Sequence, residues 1–498
     1  MSTQTSKAAI IKKYLKAKKT KTAKGAVAYT TTGDARVDLF YHTARGINRE
    51  QLREMLTASW AKSPLDTLKI IFYNRDCRGG KGEREIFHHS IVWLHEQSPE
   101  SVAKNFKLIP HFGSWKDVTS LIGTGLEPKA LEVMAAQLQE DAKNMADGKT
   151  VSLCAKWAPS EHKANDTASK AAKKLAVLLA VNRTNAKKEY RKQYLSPLRK
   201  HLAIVERNMS QNEWDKIEYS KVPSRAMKLS RKAFERHDEA GFKKYQESLV
   251  KGETKVNAKQ LFPHEIVQEF ISRQEDDVIL EEQWKVLEAE TAKLGSLADC
   301  IVLSDVSGSM SGTPMQVSVA LGLLISRLTA APFKDIVITF HETPSFHHVQ
   351  GNSLKERVAD LLASPWGGST NFNAVFKMIL ETAQKNNLPA EAMPKKLFVI
   401  SDMQFDAADN KFKSNHQNMI DQYKKAGYPV PQMIYWNVNG AYTTTPVGSA
   451  STPGVGLVSG FSPSILKAII QNGNTDSLSP LALLQPVLDD ARYADLLV

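Results

Sequence analysis

The chain has 498 residues, 42% hydrophobic and 24% charged, the balance of an ordinary globular protein with room for two or three domains. No apolar run reaches membrane-spanning length, the N-terminus lacks the apolar core of a secretory signal, and Cys77, Cys154 and Cys300 stand far apart in no metal-ligand spacing. A soluble, cytoplasmic protein with reduced thiols is therefore expected, with no membrane partner. The net charge of +13 is uneven: from Ser296 onward 14 Lys and Arg face 16 Asp and Glu, whereas the preceding residues hold 52 against 37. That excess suits a polyanion, nucleic acid first, although a solvated lysine-rich surface would give the same count.

The segment up to residue 46 opens with eight lysines and no acid before Asp34, the pattern of a mobile basic arm or a weak helix. From 47 to 294 apolar residues recur at i, i+3, i+4 and i+7, as in "QLREMLTASWAKSPL" and "ALEVMAAQLQEDAKNM". Prolines interrupt the pattern at intervals suited to consecutive helices, and an all-α helical-repeat array of HEAT-like type is the expected fold. Within it, "FYNRDCRGGKGEREIF" sets Arg75, Arg78, Lys81 and Arg84 around three glycines. Glycine lets a phosphate approach the backbone, and Arg offers it two parallel hydrogen bonds. A glycine turn between helices, its arginines paired to Asp76, Glu83 and Glu85, explains the same residues. "KKEYRKQYLSPLRKHL" mixes Arg191, Lys192, Arg199 and Lys200 with Tyr190 and Tyr194. That suits a surface tracking a nucleic-acid backbone, or an amphipathic helix with a solvated basic face. Nothing in either stretch indicates DNA specificity.

The texture changes near 295. "CIVLS", "DIVITF", "KLFVIS", "QMIYWNV" and "GVGLVSG" read as buried strands alternating with helices that begin near Pro314, Leu354, Asn371 and Asn415. Residues 295–498 are thus expected to form a doubly wound α/β domain, with ligands at the carboxyl ends of its strands. Those ends carry "DVSGSMSG", "GGSTNF" and "SDMQFD". Asp305, Ser307, Ser309, Thr370 and Asp402 are hard oxygen donors of low total charge, suited to Mg²⁺ or a similar divalent cation such as Mn²⁺. Gly308, Gly312, Gly367 and Gly368 would let the loops turn tightly around it. A hydrogen-bonded loop network without a metal would use the same residues. His341, His347 and His348 could bind a soft metal but read first as a polar strand edge, and Asp406 and Asp409 could assist the cation but read first as solvated loop acids.

The D-x-S-x-S run at Asp305, with Thr370 and Asp402 distal to it, resembles the metal-ion-dependent adhesion site of von Willebrand A domains. The resemblance implies that Asp305, Ser307 and Ser309 contact the metal directly or through water, that Thr370 is a direct or switchable ligand, and that Asp402 acts largely through water. It also implies a coordination position completed by a partner's carboxylate. "RDCRGGKGERE", "KWAPSE", "EYRKQYLSPLR" and "KVPSRA", taken with the metal motifs, resemble an uncharacterised family found in cells and viruses. More loosely, helical repeats joined to an A domain resemble the TROVE-domain proteins related to the Ro autoantigen, which implies RNA binding. A non-enzymatic RNA-binding scaffold is the first expectation. A metal-dependent adaptor for an acidic protein partner is the alternative, and a metal-dependent hydrolase is a third.

Overall fold

The computed structural model describes residues 6–498, apart from 164–165, 167–168, 181, 259–260, 274–275, 296, 340–342, 365–369, 408–412 and 473–477. Gly367, Gly368, His341 and Asp409 therefore lie outside the described residues. The chain gathers into two compact units. Unit 1 is Met1–Asn74, Gly79–Glu83 and Ala258–Ala494; unit 2 is Arg75–Arg78, Arg84–Asn257 and Asp495–Val498.

These limits differ from the expected 46/47 and 294/295 boundaries. The basic arm, the helices that follow it and the stretch after Ala258 all fall in the unit that holds the strands. The reason is visible in the arm itself. Lys12, Lys13, Lys16, Lys18, Lys19 and Lys21 stay exposed while Tyr14, Ala26, Ala28, Val37, Leu39 and Phe40 are buried. Lysines on the outside give a chain segment its charge without preventing its short apolar side chains from packing inward.

Unit 1 is built on a six-stranded sheet. Its strands are β3 (Cys300–Ser304), β4 (Ile336–Thr339), β5 (Ser345–His348), β6 (Lys396–Ser401), β7 (Gln432–Asn437) and β8 (Val455–Ser459), in the order β5-β4-β3-β6-β7-β8. All neighbours are parallel except β4 and β5. Strands β3 and β8 are buried at every residue, as strands covered on both faces must be. The helix Thr313–Leu328 is buried from Val317 to Ser326 and packs on β3, β4 and β6. A separate ribbon pairs β1 (Lys19–Lys21) with β2 (Val27–Tyr29). From β3 the chain moves outward to β4, then returns to the other side of β3 to form β6. The loops leaving β3 and β6 therefore diverge, and a crevice opens at their carboxyl ends.

Lys81 lies wholly inside unit 1. Its ammonium donates to Phe40 O, to Thr43 O at 3.1 Å, to Thr43 Oγ1 at 2.9 Å and to Ser459 Oγ at 2.8 Å. The helix Ala35–His42 is thereby tied to the end of β8. Burial pulls the Lys81 pKa down to about 7, against a smaller opposite effect of Glu83. The same environment, together with Lys81, pushes His42 down to about 3.

The described residues of unit 2 form helices and no strands, including Glu127–Ala146, Ala171–Leu179, Ser224–His237 and Glu239–Val250. Near its start, Asp117 receives two guanidinium groups, Arg75 at 2.8 Å and Arg84 at 2.9 Å. Gly113 is required beside them, because a Cβ there would lie 2.3 Å from Asp117 Oδ2.

Lys81→Met is expected to destabilise the protein by about 1–3 kcal/mol or more, as for a buried carbonyl left without its donor, measured by urea unfolding. The folded chain holds this proton less tightly than the unfolded one, whose lysine keeps its ordinary value of 10.5. Between pH 7 and that value the unfolded state binds more protons, so stability from this group rises with pH. The rise should be missing from the variant.

Candidate functional site

Asp305 stands one residue beyond β3, and its N–H donates to Ile400 O on β6 at 2.9 Å, extending the ladder. The carboxylate is fully buried and points back into the crevice loops. Oδ1 accepts from Ser307 N at 2.9 Å and Oδ2 from Ser401 Oγ at 2.5 Å. Ser307 and Ser309 share a hydrogen bond between their hydroxyls at 3.2 Å. Asp402, one residue beyond β6, accepts from Gln404 N at 3.0 Å through Oδ1. Its Oδ2 is buried and finds no hydrogen-bond partner among the described residues. Thr370 donates through Oγ1 to Gln404 O at 2.9 Å and through its N–H to Asp406 Oδ2 at 2.8 Å. Direct bonds thus join Asp305 to Ser307 and Ser307 to Ser309, and tie Thr370 to the loop of Asp402.

Burial, and then the charge of Asp402, raise the Asp305 pKa to about 6, while the hydrogen bonds from Ser401 and Ser307 oppose the shift. Two carboxylates removed from water and acting on each other call for a cation. The donors are oxygens only, and one carboxylate oxygen, Asp402 Oδ2, is unclaimed. The set fits a small hard divalent cation.

Two residues outside the expected donor set also belong here. Asp406 is not a free loop acid, since it holds the Thr370 backbone. Lys24 of the arm donates to Thr370 Oγ1 at 3.1 Å. One lysine among eight offered no signal, because the contact crosses 346 positions.

The basic candidates separate into two groups. Lys81 is enclosed by the four acceptors already described, and Arg75, 4% exposed, is spent on Asp117. Neither is open to a phosphate, so the glycine loop does not present its cations as expected. The causes lie far off in sequence: Asp117 claims Arg75, and Phe40, Thr43 and Ser459 enclose Lys81. Arg84 shares Asp117 but stays 39% exposed, and Arg78 is exposed with a bond to His111 O at 2.6 Å. Arg199 is a structural brace, donating to Ala155 O at 2.8 Å, Ala158 O at 3.0 Å and Ser160 Oγ at 2.9 Å. Tyr190 is buried with its hydroxyl on Pro159 O, so it is no stacking platform. Arg191, Lys192 and Lys200 are exposed. A further group in unit 2 includes Lys156 and Trp157 of the "KWAPSE" stretch. The ammonium groups of Lys116 and Lys156 lie 5.4 Å and 5.8 Å from the centre of the Trp157 ring. Burial, and then the charges of Arg84 and Arg225, lower the Lys116 pKa.

The sequence pattern of a family described as a domain of unknown function (DUF2828) matches residues 22–132 and 129–297, more than half of the chain. The chain belongs to this family. The DUF2828 match ends just before β3, and a second domain of unknown function (DUF7788) matches residues 299–485. A relative, "Uncharacterized protein L728" of Acanthamoeba polyphaga mimivirus, is 32% identical over 505 residues, covering 94% of this chain and 87% of the relative. Among solved structures, the crystal structure of the Deinococcus radiodurans RO (RSR) protein aligns with 91% of this chain and 99% of its own, at 13% identity and a TM-score of 0.37. At that score the likeness carries nothing over to this DUF2828 chain.

Asp305→Asn removes one of two interacting buried charges. In EDTA at pH 7 the variant should be more stable than the parent by about 1–3 kcal/mol, the scale of a two-unit pKa shift. Urea unfolding measures it, and a loss of stability would mean that the pair is already compensated.

Proposed function

We propose that this chain is a non-enzymatic, cytoplasmic binding scaffold with two modules, a metal-dependent A-type module in unit 1 and an RNA-backbone module in unit 2. The observation that carries the first module is the buried Asp305 and Asp402 pair at the divergence of the β3 and β6 loops, with hydroxyls beside it. Asp305, Ser307, Ser309 and Thr370 would hold Mg²⁺ or Mn²⁺, with Asp402 acting largely through water. When bound, the cation supplies an open coordination position with affinity for a carboxylate. The chain's own residues orient that position: Ser401 and the Ser307 amide aim Asp305, and Gln404 and Asp406 hold Thr370. An acidic protein segment is the ligand class this arrangement takes. Asp305→Ala and EDTA should each abolish a complex captured with the purified full chain, and capture indifferent to both would remove this module.

The second module rests on charge in one place. Unit 2 holds 33 Lys and Arg against 23 Asp and Glu, and residues 151–232 alone hold 19 against 7. Arg84 and Arg225 both act on Lys116 beside Trp157, against a smaller opposite effect of Asp117, so that a further anion there relieves like-charge repulsion. A phosphodiester meets that need, and a base stacks on an indole. The chain should bind single-stranded RNA with an affinity that falls steeply with salt. Lys116→Ala combined with Arg225→Ala should weaken binding and lower the slope of log K against log salt by about 0.7 for each contact removed. Fluorescence anisotropy across a salt series measures both, and an unchanged slope would count against the surface.

A further inference from the structure

The segment between β1 and β2 does more than join a ribbon. Thr22 Oγ1 donates to Phe405 O at 2.8 Å, and Ala23 N donates to Gln404 Oε1 at 2.8 Å. Gly25 bridges to Asp406 and Val27 to Ser414, and Tyr29 exchanges both backbone bonds with Thr445 at 2.9 Å. Phe405, Asp406, Ser414 and Thr445 all follow β6 or β7 in the chain. The arm is therefore a strap laid over the loops at the carboxyl edge of the sheet, held at many points within one unit.

At its centre the strap delivers Lys24. Thr370 Oγ1 has one hydrogen and two lone pairs. The hydrogen goes chiefly to Gln404 O at 2.9 Å, with Asp406 Oδ1 at 3.4 Å as a weaker second acceptor, and the Lys24 ammonium takes one lone pair at 3.1 Å. Lys24 is half-buried, which weakens solvent screening of its charge. A divalent cation that uses the remaining lone pair meets a positive charge bonded to the same oxygen.

We propose that Lys24 is a functional residue of this site: a resident ammonium that sets its affinity for divalent cations and is displaced from Thr370 when one binds. The proposal rests on the metal reading of Asp305 and its neighbours. Its logic is that of linked binding: the ammonium and the divalent cation contribute to the same charge compensation, so each weakens the other. Strap and metal become antagonists. Metal entry loosens the hold on Thr22–Ala26, and the docked strap keeps the affinity for metal low.

The test titrates the full chain with Mn²⁺ alone, reading free Mn²⁺ by electron paramagnetic resonance. Parent, Lys24→Met, Lys24→Arg and Asp305→Ala chains are compared. Lys24→Met should bind Mn²⁺ at least tenfold more tightly than the parent, Lys24→Arg should keep the parent affinity, and Asp305→Ala should bind none at this site. Equal affinities in the parent and Lys24→Met, with binding still lost in Asp305→Ala, would overturn the role of Lys24 and leave the metal centre standing. Absence of Asp305-dependent binding in every chain would overturn both. Amide hydrogen exchange supplies the second readout. Thr22–Ala26 should exchange faster in the parent once Mn²⁺ is added, and unchanged exchange would rule out displacement.

Discussion

Two carboxylates kept away from water at the point where a sheet changes direction set the terms for unit 1. Burying a carboxylate is costly unless something positive or hydrogen-bonding answers it. Around Asp305 and Asp402 the answer is partial. Ser401, the Ser307 amide and the Gln404 amide satisfy three of the four oxygens, and one is left over. The divergence of the β3 and β6 loops makes room for a ligand there. Hydroxyls rather than more acids surround the pair, so the local charge stays low enough for the sheet to fold around it.

The same unit contains a second buried charge of opposite sign. Lys81 is enclosed by carbonyls and hydroxyls from the helix Ala35–His42 and from β8. Carbonyl and hydroxyl oxygens replace water around its ammonium and, with a contribution from Glu83, meet part of the cost of burial, which still pulls the pKa down to about 7. Packing then places an N-terminal helix firmly on the sheet's last strand. Together with the strap over the β6 and β7 loops, it makes the described residues up to Asn74 part of the sheet's own architecture.

What the sequence disclosed follows from range. Strands such as Lys396–Ser401 are legible because a strand covered on both faces carries a nearly continuous apolar run, here Leu397–Ile400, a local signal. Asp305, Ser307 and Ser309 are legible because a single loop holds all three. The edge strand Ser345–His348 was legible only as a polar edge around His347 and His348, since a half-exposed antiparallel edge with two histidines carries no apolar run to give its bounds. Lys24, Lys81 and Arg75 were opaque for a different reason. Their partners lie tens to hundreds of positions away, and a lysine that will be buried looks, in sequence, like one that will be solvated. The basic excess pointed to unit 2 as a whole, but which cations stay available was decided by the Asp117 ion pairs and the Arg199 brace.

The interleaving of the two units has a practical consequence. The chain leaves unit 1 at Asn74, returns for Gly79–Glu83 and leaves again. A fragment beginning near residue 295 would retain every oxygen donor named above. It would nonetheless uncover the ground on which Leu39, Phe40 and Lys81 rest, and strip the rim from the β6 and β7 loops. Dissecting this protein by truncation would thus yield a sticky, partly unfolded piece whose silence in a binding assay reports on lost packing. Point substitution within the intact chain is the route by which its parts can be told apart.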